Sequence, residues 1–577
     1  MADTENENDI SLKAADYAVF GVMLGISAIV GIYFAIKDRN AKGDVENYLL
    51  GERKISWLAS GFSSSLSFLS AVSVLGIPAE MMYYGGGYCM LILSILLCNA
   101  ISAEMILPIY YKLGLSSAYE GGLKAVIWTD VLQGTILLIV LLIVLFMSAE
   151  DAGGFDNVWQ ICRDGDRLDF FQFDFDPRYR FTFWSIVFGL GIMWTSISCT
   201  NQAVSQRFLC CRSVNAGKMA MYSSWIFGLF MLIPLYIIGF IAYAYFGDCD
   251  PLLSNKISAG DQVLPYMVMI VFRDLPGMSG LFIAGIFAAG LSTISSALNG
   301  MSCVTVGDLI QPHFNWSKNT LLWVSKGLTL TYGIICIAFA YLSSILGGLI
   351  QATLSLLGIC AGPLLGPVVL GTLVPFTNSA GAISGMLISL AFNIWLYVGS
   401  TIYPPPPEFM RAKYITASGC PVSNSTQNFT TIPSTSSSTF LATDTDQTLA
   451  GPEERPAIAD FYAVSFALYA LYGLMVNLLV GLIVSCASGG LKSRHHVNPN
   501  HIYLPFEHKL LRWLPEKFRR IMRPKFVTTE NAISSKQEQN LTDVNGSGYL
   551  ENGKISDKSD GKQNFGFIND ETISTIM

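Results

Sequence analysis

The chain has 577 residues, of which 52% are hydrophobic and only 13% charged. Soluble chains carry roughly 25% charged residues, so a soluble globular protein is excluded and a polytopic, all-α membrane protein with no nucleic-acid partner is indicated. The net charge of −7 decides little, because local Lys and Arg placement sets orientation; the 12 cysteines include no CxxC pair and so indicate neither a zinc site nor a thioredoxin-type motif.

The N-terminal MADTENEND is acidic and lacks the basic n-region of a signal peptide. The apolar run 14–36 comes next, then Lys37, Arg39, Lys42, Arg53 and Lys54. Such a basic loop belongs in the cytoplasm, which makes residues 1–13 extracellular. The second run, 57–80, reads WLASGFSSSLSFLSAVSVLGIPAE, with hydroxyls throughout, Gly61 and Gly76, and Pro78 near its end. Polar, glycine-bearing spans are tolerated only where neighbours or a cavity satisfy the backbone. The third run, 88–110, holds Glu104 and returns to a loop with Lys112, Glu120 and Lys124.

The fourth run, 125–147, carries WTDVLQ near its start, and the acidic loop 148–180 follows outside. The fifth, 181–204, is apolar until SISCTNQ interrupts it, and Arg207, Arg212 and Lys218 mark another inside loop. After the sixth run, 220–246, a short amphipathic piece at 263–275 is expected to lie on the surface. The seventh, 280–308, leads to runs 321–346, 348–373 and 381–402, the middle one expected to kink at Gly362-Pro363 and Gly366-Pro367. Residues 403–459 form a Pro/Ser/Thr-rich loop whose sequons at Asn424 and Asn428 read as extracellular glycosylation sites. The last run is 461–486. The tail 487–577 is expected in the cytoplasm, basic and lipid-facing at 509–525 and disordered after 527. The pattern predicts eleven spans in a membrane domain over 14–486, N-terminus out and C-terminus in.

Four of these runs carry the chemistry. In 280–308, Ser292, Ser295, Ser296 and Asn299 recur at i, i+3, i+4 and i+7 and share one face, with Thr293 at its margin. Hydroxyls on a membrane helix serve either as glue between helices, at about 0.6 kcal/mol each, or as part of a cation site completed by carbonyls of a broken helix alongside. The interrupted runs 57–80 and 181–204 supply two such breaks. In secondary transporters, paired broken helices hold substrate and ions near the bilayer midplane. Asp130, with Gln133 one turn along, is a membrane carboxylate that either snorkels or pairs with Lys124, or else relays a cation on the inner side of a path.

GGLKAVIWTDVLQ (121–133), NQAVSQRFL (201–209), GLFIAG…GLSTISSALN (280–299) and the break at 65–76 resemble the sodium:solute symporter family, over about residues 15–490. Within it the chain looks like the anion-carrying branch of sodium-coupled monocarboxylate, multivitamin and iodide symporters. The resemblance implies a LeuT-type fold of two inverted five-helix repeats. It implies a sodium site from the hydroxyls of Ser292 and Thr293 and the carbonyls of Leu66, Leu69 and Ala289. It also places Asp130 and Gln133 on the ion's inner path, and Ser73, Ser198, Asn201 and Gln202 around the substrate cavity. One departure stands out. In the family the segment like KLGLSSAYE (112–120) continues into two further helices, whereas here Glu120 runs straight into Gly121. An even number of missing spans leaves downstream orientation intact.

Lesser signals complete the reading. Cys162, Cys249 and Cys420 fall in outside loops, where two of the three could pair. Sequon-like Asn315, Asn540 and Asn545 fall inside and are expected to carry no glycan. Thr575-Ile576-Met577 has the form of a PDZ ligand. No GxGxxG, Walker loop or metal-spaced histidine cluster is present, so an enzymatic role is not expected. The expected function is sodium-coupled symport of a small organic anion, a monocarboxylate such as lactate, across the plasma membrane. The alternatives are biotin, pantothenate or iodide as substrate, or a non-transporting short form acting as a partner protein.

Overall fold

The computed structural model describes residues 11–39, 55–113, 123–314, 316–343, 349–420 and 456–490. The sequons at Asn315, Asn424, Asn428, Asn540 and Asn545, the junction Glu120–Gly121, the basic stretch 509–525 and the terminal tripeptide lie outside them.

Helix α1 spans Ala14–Arg39, and the second expected span is two helices, α2 (Trp57–Phe68) and α3 (Ala71–Tyr84), bent at 62°. The third is α4 (Leu91–Ile101) and α5 (Leu107–Leu113), joined by a π-helical stretch, Ser102–Ile106. Then come α6 (Leu123–Asp151), the short α7 (Phe155–Asp164), and the second interrupted element, α8 (Gly191–Thr200) and α9 (Gln202–Leu209). The rest are α10 (Val214–Phe246), α11 (Val263–Val271), α12 (Met278–Val304), α13 (Lys318–Ser343), α14 (Leu349–Leu373), α15 (Ser379–Ile402), α16 (Pro407–Met410), α17 (Ala457–Tyr462) and α18 (Tyr469–Ala487). Among the described residues, eight helices are long and apolar enough to cross a bilayer, and the bent pair α2–α3 makes nine. The other two of the eleven expected positions hold shorter apolar helices, Ala14–Ile26 and Ser185–Thr200.

Glycine sets approach distances here more than it sets breaks. The first break falls at Leu69 and Ser70, both extended, while Gly61, Gly76 and Pro78 stay inside helices. A Cβ on Gly61 would lie 2.7 Å from the Ala220 carbonyl and 2.0 Å from Ser223 Oγ, so only glycine lets α2 meet α10. The second break sits at Asn201, whose Oδ1 accepts the Ala203 N–H at 3.0 Å and caps α9.

Helix α14 runs unbroken through Pro363 and Pro367. Each proline lacks the N–H that would reach the carbonyl four residues back, at Ile359 and Pro363. Two fully buried asparagines supply the missing donors: Asn393 on α15 to Ile359 O, and Asn477 on α18 to Pro363 O, both at 3.0 Å.

Of the 263–275 piece only the end, Arg273–Leu275, is exposed; the helical part does not lie on the surface. Val263, Leu264, Met267 and Val268 are buried as α11 packs against α3 and α6. The reason is composition: α11 reads VLPYMVMIV, almost wholly apolar, so it is stabilised by burial against the bundle. Cys249 and Cys420 form a disulfide, and Cys162 is instead a buried thiol donating to Phe240 O. Asp250, next to the bridge, caps the Leu252 and Leu253 N–H groups; burial still raises its carboxyl above the usual range.

Candidate functional site: a cation niche beside a central cavity

The chain breaks where α2 ends, and helix ends leave carbonyls without intrahelical partners. Leu69 N–H folds back onto Leu66 O at 3.2 Å, and Ser70 then starts α3. Beside this turn lies a void of about 10 Å³, bordered by Leu66, Leu69, Ala289, Ser292, Asp130 and Gln133. That is room for about one water-sized particle. Helix α6 approaches closely because position 134 is glycine; a Cβ there would sit 2.1 Å from Leu66 Cδ1.

The polar atoms around the void suit a cation. Ser292 Oγ donates to Asp130 Oδ1; Thr293, which borders the adjoining cavity rather than the void itself, donates its Oγ1 proton to Ala289 O at 3.1 Å. With their protons directed elsewhere, both hydroxyls keep lone pairs to offer a positive ion. Gln133 Oε1 is buried with no partner among the described residues, the kind of orphaned acceptor that a native interior rarely leaves idle. Asp130 is 1% exposed, so it does not snorkel, and the charge facing it is Arg207 at 2.9 Å.

Arg207 is a candidate site residue that the sequence alone does not single out. The basic-residue pattern puts it in an inside loop, yet it is 1% exposed on α9. Its Nη1 donates to Ser63 O at 2.7 Å, to Ser63 Oγ at 2.8 Å and to Ser67 Oγ, and Nη2 to Ser296 Oγ at 3.1 Å. Ser63 in turn donates to Asp130 Oδ2 at 2.6 Å, and Ser60 to Arg207 O at 2.6 Å. One guanidinium thus ties α9 to α2, α6 and α12. Position alone gave the signal: six residues past Asn201, Arg207 lies within two turns of a break.

Next to the niche is a cavity of about 450 Å³. Thr293 and Leu69 line it from one side, Ser73 and Asn201 from the others, and Ser70, Ala71 and Val72 bring the N-terminus of α3 to its wall. Trp194, Tyr88 and Thr353 line it too, residues that hydropathy did not distinguish from core. Ser198 does not line it; its hydroxyl sits 3.2 Å from Cys98 Sγ, facing α4. Gln202 is also absent from the lining. The hydroxyl face of α12 divides. Ser292 and Ser296 turn inward to Asp130 and Arg207, while Ser295 and Asn299 are exposed on the outer side of the helix.

Residues 116–389 match the sodium:solute symporter family. The chain is 34% identical to sodium-coupled monocarboxylate transporter 1 of Homo sapiens, over 84% of this chain and 89% of that protein. It is 33% identical to the sodium/iodide cotransporter of Homo sapiens, over 85% of this chain and 86% of that protein. The first of these alignments runs 551 residues, more than the share of this chain that it covers, so that relative holds residues with no counterpart here. In structure the chain aligns with a Na+-coupled sialic acid symporter in a substrate-bound outward-open state, with a TM-score of 0.58 and 20% identity, over 83% of this chain and 98% of that one. The fold is therefore the LeuT-type one that the sequence leads one to expect.

Proposed function

The chain belongs to the sodium:solute symporter family, and on that premise we propose that it moves a small monocarboxylate across the plasma membrane together with Na+. The single observation that carries this reading is the meeting of the α2 break with α12 at a one-particle void that opens beside the central cavity. The Leu66, Leu69 and Ala289 carbonyls and the Ser292 and Thr293 hydroxyls hold the ion, and Gln133 Oε1 adds an oxygen. Asp130 attracts the ion from the cytoplasmic side. The positive N-terminal end of α3, with Ser73 and Asn201, receives the carboxylate. A multi-pass orientation with the N-terminus and the glycosylated loop (Asn424, Asn428) outside, and the C-terminal tail and its PDZ-ligand end inside, follows the basic loops.

Energetics favour coupling. Each net positive charge moving inward gains about 2.3 kcal/mol per 100 mV, which at about 1.4 kcal/mol per tenfold ratio supports more than one decade of accumulation. The test is uptake by the purified chain in liposomes. An imposed sodium gradient should drive labelled lactate inward, with unlabelled pantothenate and iodide competing weakly. Stronger competition by either would reassign the substrate to a vitamin or a halide, and folded protein without sodium-dependent uptake would overturn symport.

A second reading, a non-transporting partner protein, is favoured by one feature. On α12, Ser295 and Asn299 face outward beside exposed Leu291 and Ile294. Ser295 Oγ turns back to Ser292 O at 3.1 Å, which leaves the Asn299 amide as the costly polar group on this row. The two family helices expected after Glu120 would be the natural cover.

A further inference from the structure

Away from the cation niche, the cavity ends beneath a second buried ion pair. Arg180 and Glu80 are 4% and 6% exposed. Arg180 Nη2 donates to Glu80 Oε1 at 2.6 Å and Nε to Oε2 at 3.4 Å, while Nη1 donates to Gln351 Oε1 at 2.6 Å. The guanidinium also lies 4.1 Å from the Tyr84 ring centroid, 5.2 Å from Phe181 and 5.0 Å from Phe466. Glu80 and Tyr84 belong to α3, the outer half of the broken helix, and Gln351 to α14. Arg180's own backbone is fixed elsewhere: its N–H donates to Phe409 O at 2.9 Å, and its carbonyl accepts Ser465 Oγ at 2.7 Å.

The residues directly below this cluster line the cavity: Ile77, one turn before Glu80, and Ile350, next to Gln351. There α3 and α14 close on each other. A Cβ on Gly76 would lie 2.2 Å from Ile350 Cγ1, so the helices touch through a bare backbone. At this end of the cavity the contact of α3 with α14 is the closure, and Arg180 is bonded to both helices.

We propose that the Glu80–Arg180–Gln351 cluster is a latch that closes the extracellular end of the cavity, with Arg180 as its fixed post and α3 and α14 as the two leaves it holds together. The charge pairing favours the closed form, because parting the leaves leaves a guanidinium and a carboxylate without their partners in a poorly hydrated site. The planar fork of arginine reaches two acceptors on different helices at once, which a lysine cannot reproduce.

This inference takes the extracellular placement of the disulfide face from the reading above, and its test separates the two. A cysteine is placed inside the cavity at Thr353→Cys, and cells expressing the full chain are treated with a membrane-impermeant thiol reagent, with the chain lacking that cysteine as the blank. Labelling needs neither sodium nor substrate, so failed uptake alongside the expected labelling would sink symport and leave the latch standing. Arg180→Gln should speed labelling at least tenfold, and Glu80→Gln, which keeps volume and an acceptor, by a smaller factor. Should Arg180→Gln fail to reach the membrane, Glu80→Gln decides the matter alone. Faster labelling seen only in inside-out vesicles supports the latch and overturns the orientation. Unchanged labelling in folded variants, from both faces, overturns the latch.

Discussion

Arg207 and Arg180 are buried to similar depth at opposite ends of one cavity, but they keep different company. Arg207 is surrounded by hydroxyls and a carbonyl from α2 and α12, and shares its carboxylate, Asp130, with the cation niche. Arg180 has one carboxylate, one amide and three aromatic faces, and none of its partners borders the niche. A buried charge must be paired and hydrogen-bonded wherever it sits, so pairing alone does not reveal a role. What differs is the neighbour's second task. At one end the carboxylate also borders the void proposed for the ion; at the other it shares its guanidinium only with Gln351 of a second helix.

The comparison breaks most readily at the carboxylates. Asp130→Ala and Glu80→Ala each strand a buried guanidinium and should each lower stability by about 3–5 kcal/mol, read as thermal unfolding of the purified protein. Only Asp130→Ala should also raise the sodium needed for half-maximal uptake; an equal rise in Glu80→Ala would erase the distinction between the two ends. A smaller effect sharpens it. Replacing Cys249 and Cys420 together by Ser opens the covalent tie on the Arg180 side and should cost about 2–4 kcal/mol. Sodium dependence should stay as it was, and a shift in it would mean the two ends are coupled through the loops. The smallest effect belongs to the niche. Thr293→Ala removes one oxygen and should cost about 0.5–1.5 kcal/mol of ion binding, up to about tenfold in sodium half-saturation. Ser292→Ala should cost more, since it also deprives Asp130 of a donor.

Much of the architecture was legible because bilayer thickness imposes a length on apolar runs, and each of the eleven expected runs meets a helix. The interruption at SISCTNQ was legible too, since Asn201 caps the helix that follows. The first interruption was readable as a region but not as a position. Gly61, Gly76 and Pro78 look like breakers, yet the glycines serve close helix contacts and Leu69-Ser70 carries the turn. Arg207 is hidden from the sequence for a related reason. The rule that places cations in cytoplasmic loops works by counting, and it cannot tell a solvated arginine from one drawn inward by Asp130, four serines and a helix break. The burial of α11 escaped because amphipathicity reports which face is apolar and not what will cover it. The resemblance places Ser198 at the cavity, while its helix phase turns it toward Cys98.

Prolines in a membrane helix commonly mark where it bends. In α14 the amides of Asn393 and Asn477 act as splints across both proline gaps, and each splint is rooted in a different neighbouring helix. Residues 349–373 are thereby stiffened into a lever rather than a joint, with its fulcrum where Gly362 and Gly366 rest against α18. A tilt imposed at Gln351 would then be carried to Leu373 instead of being absorbed midway, so that the two ends of α14 would move together.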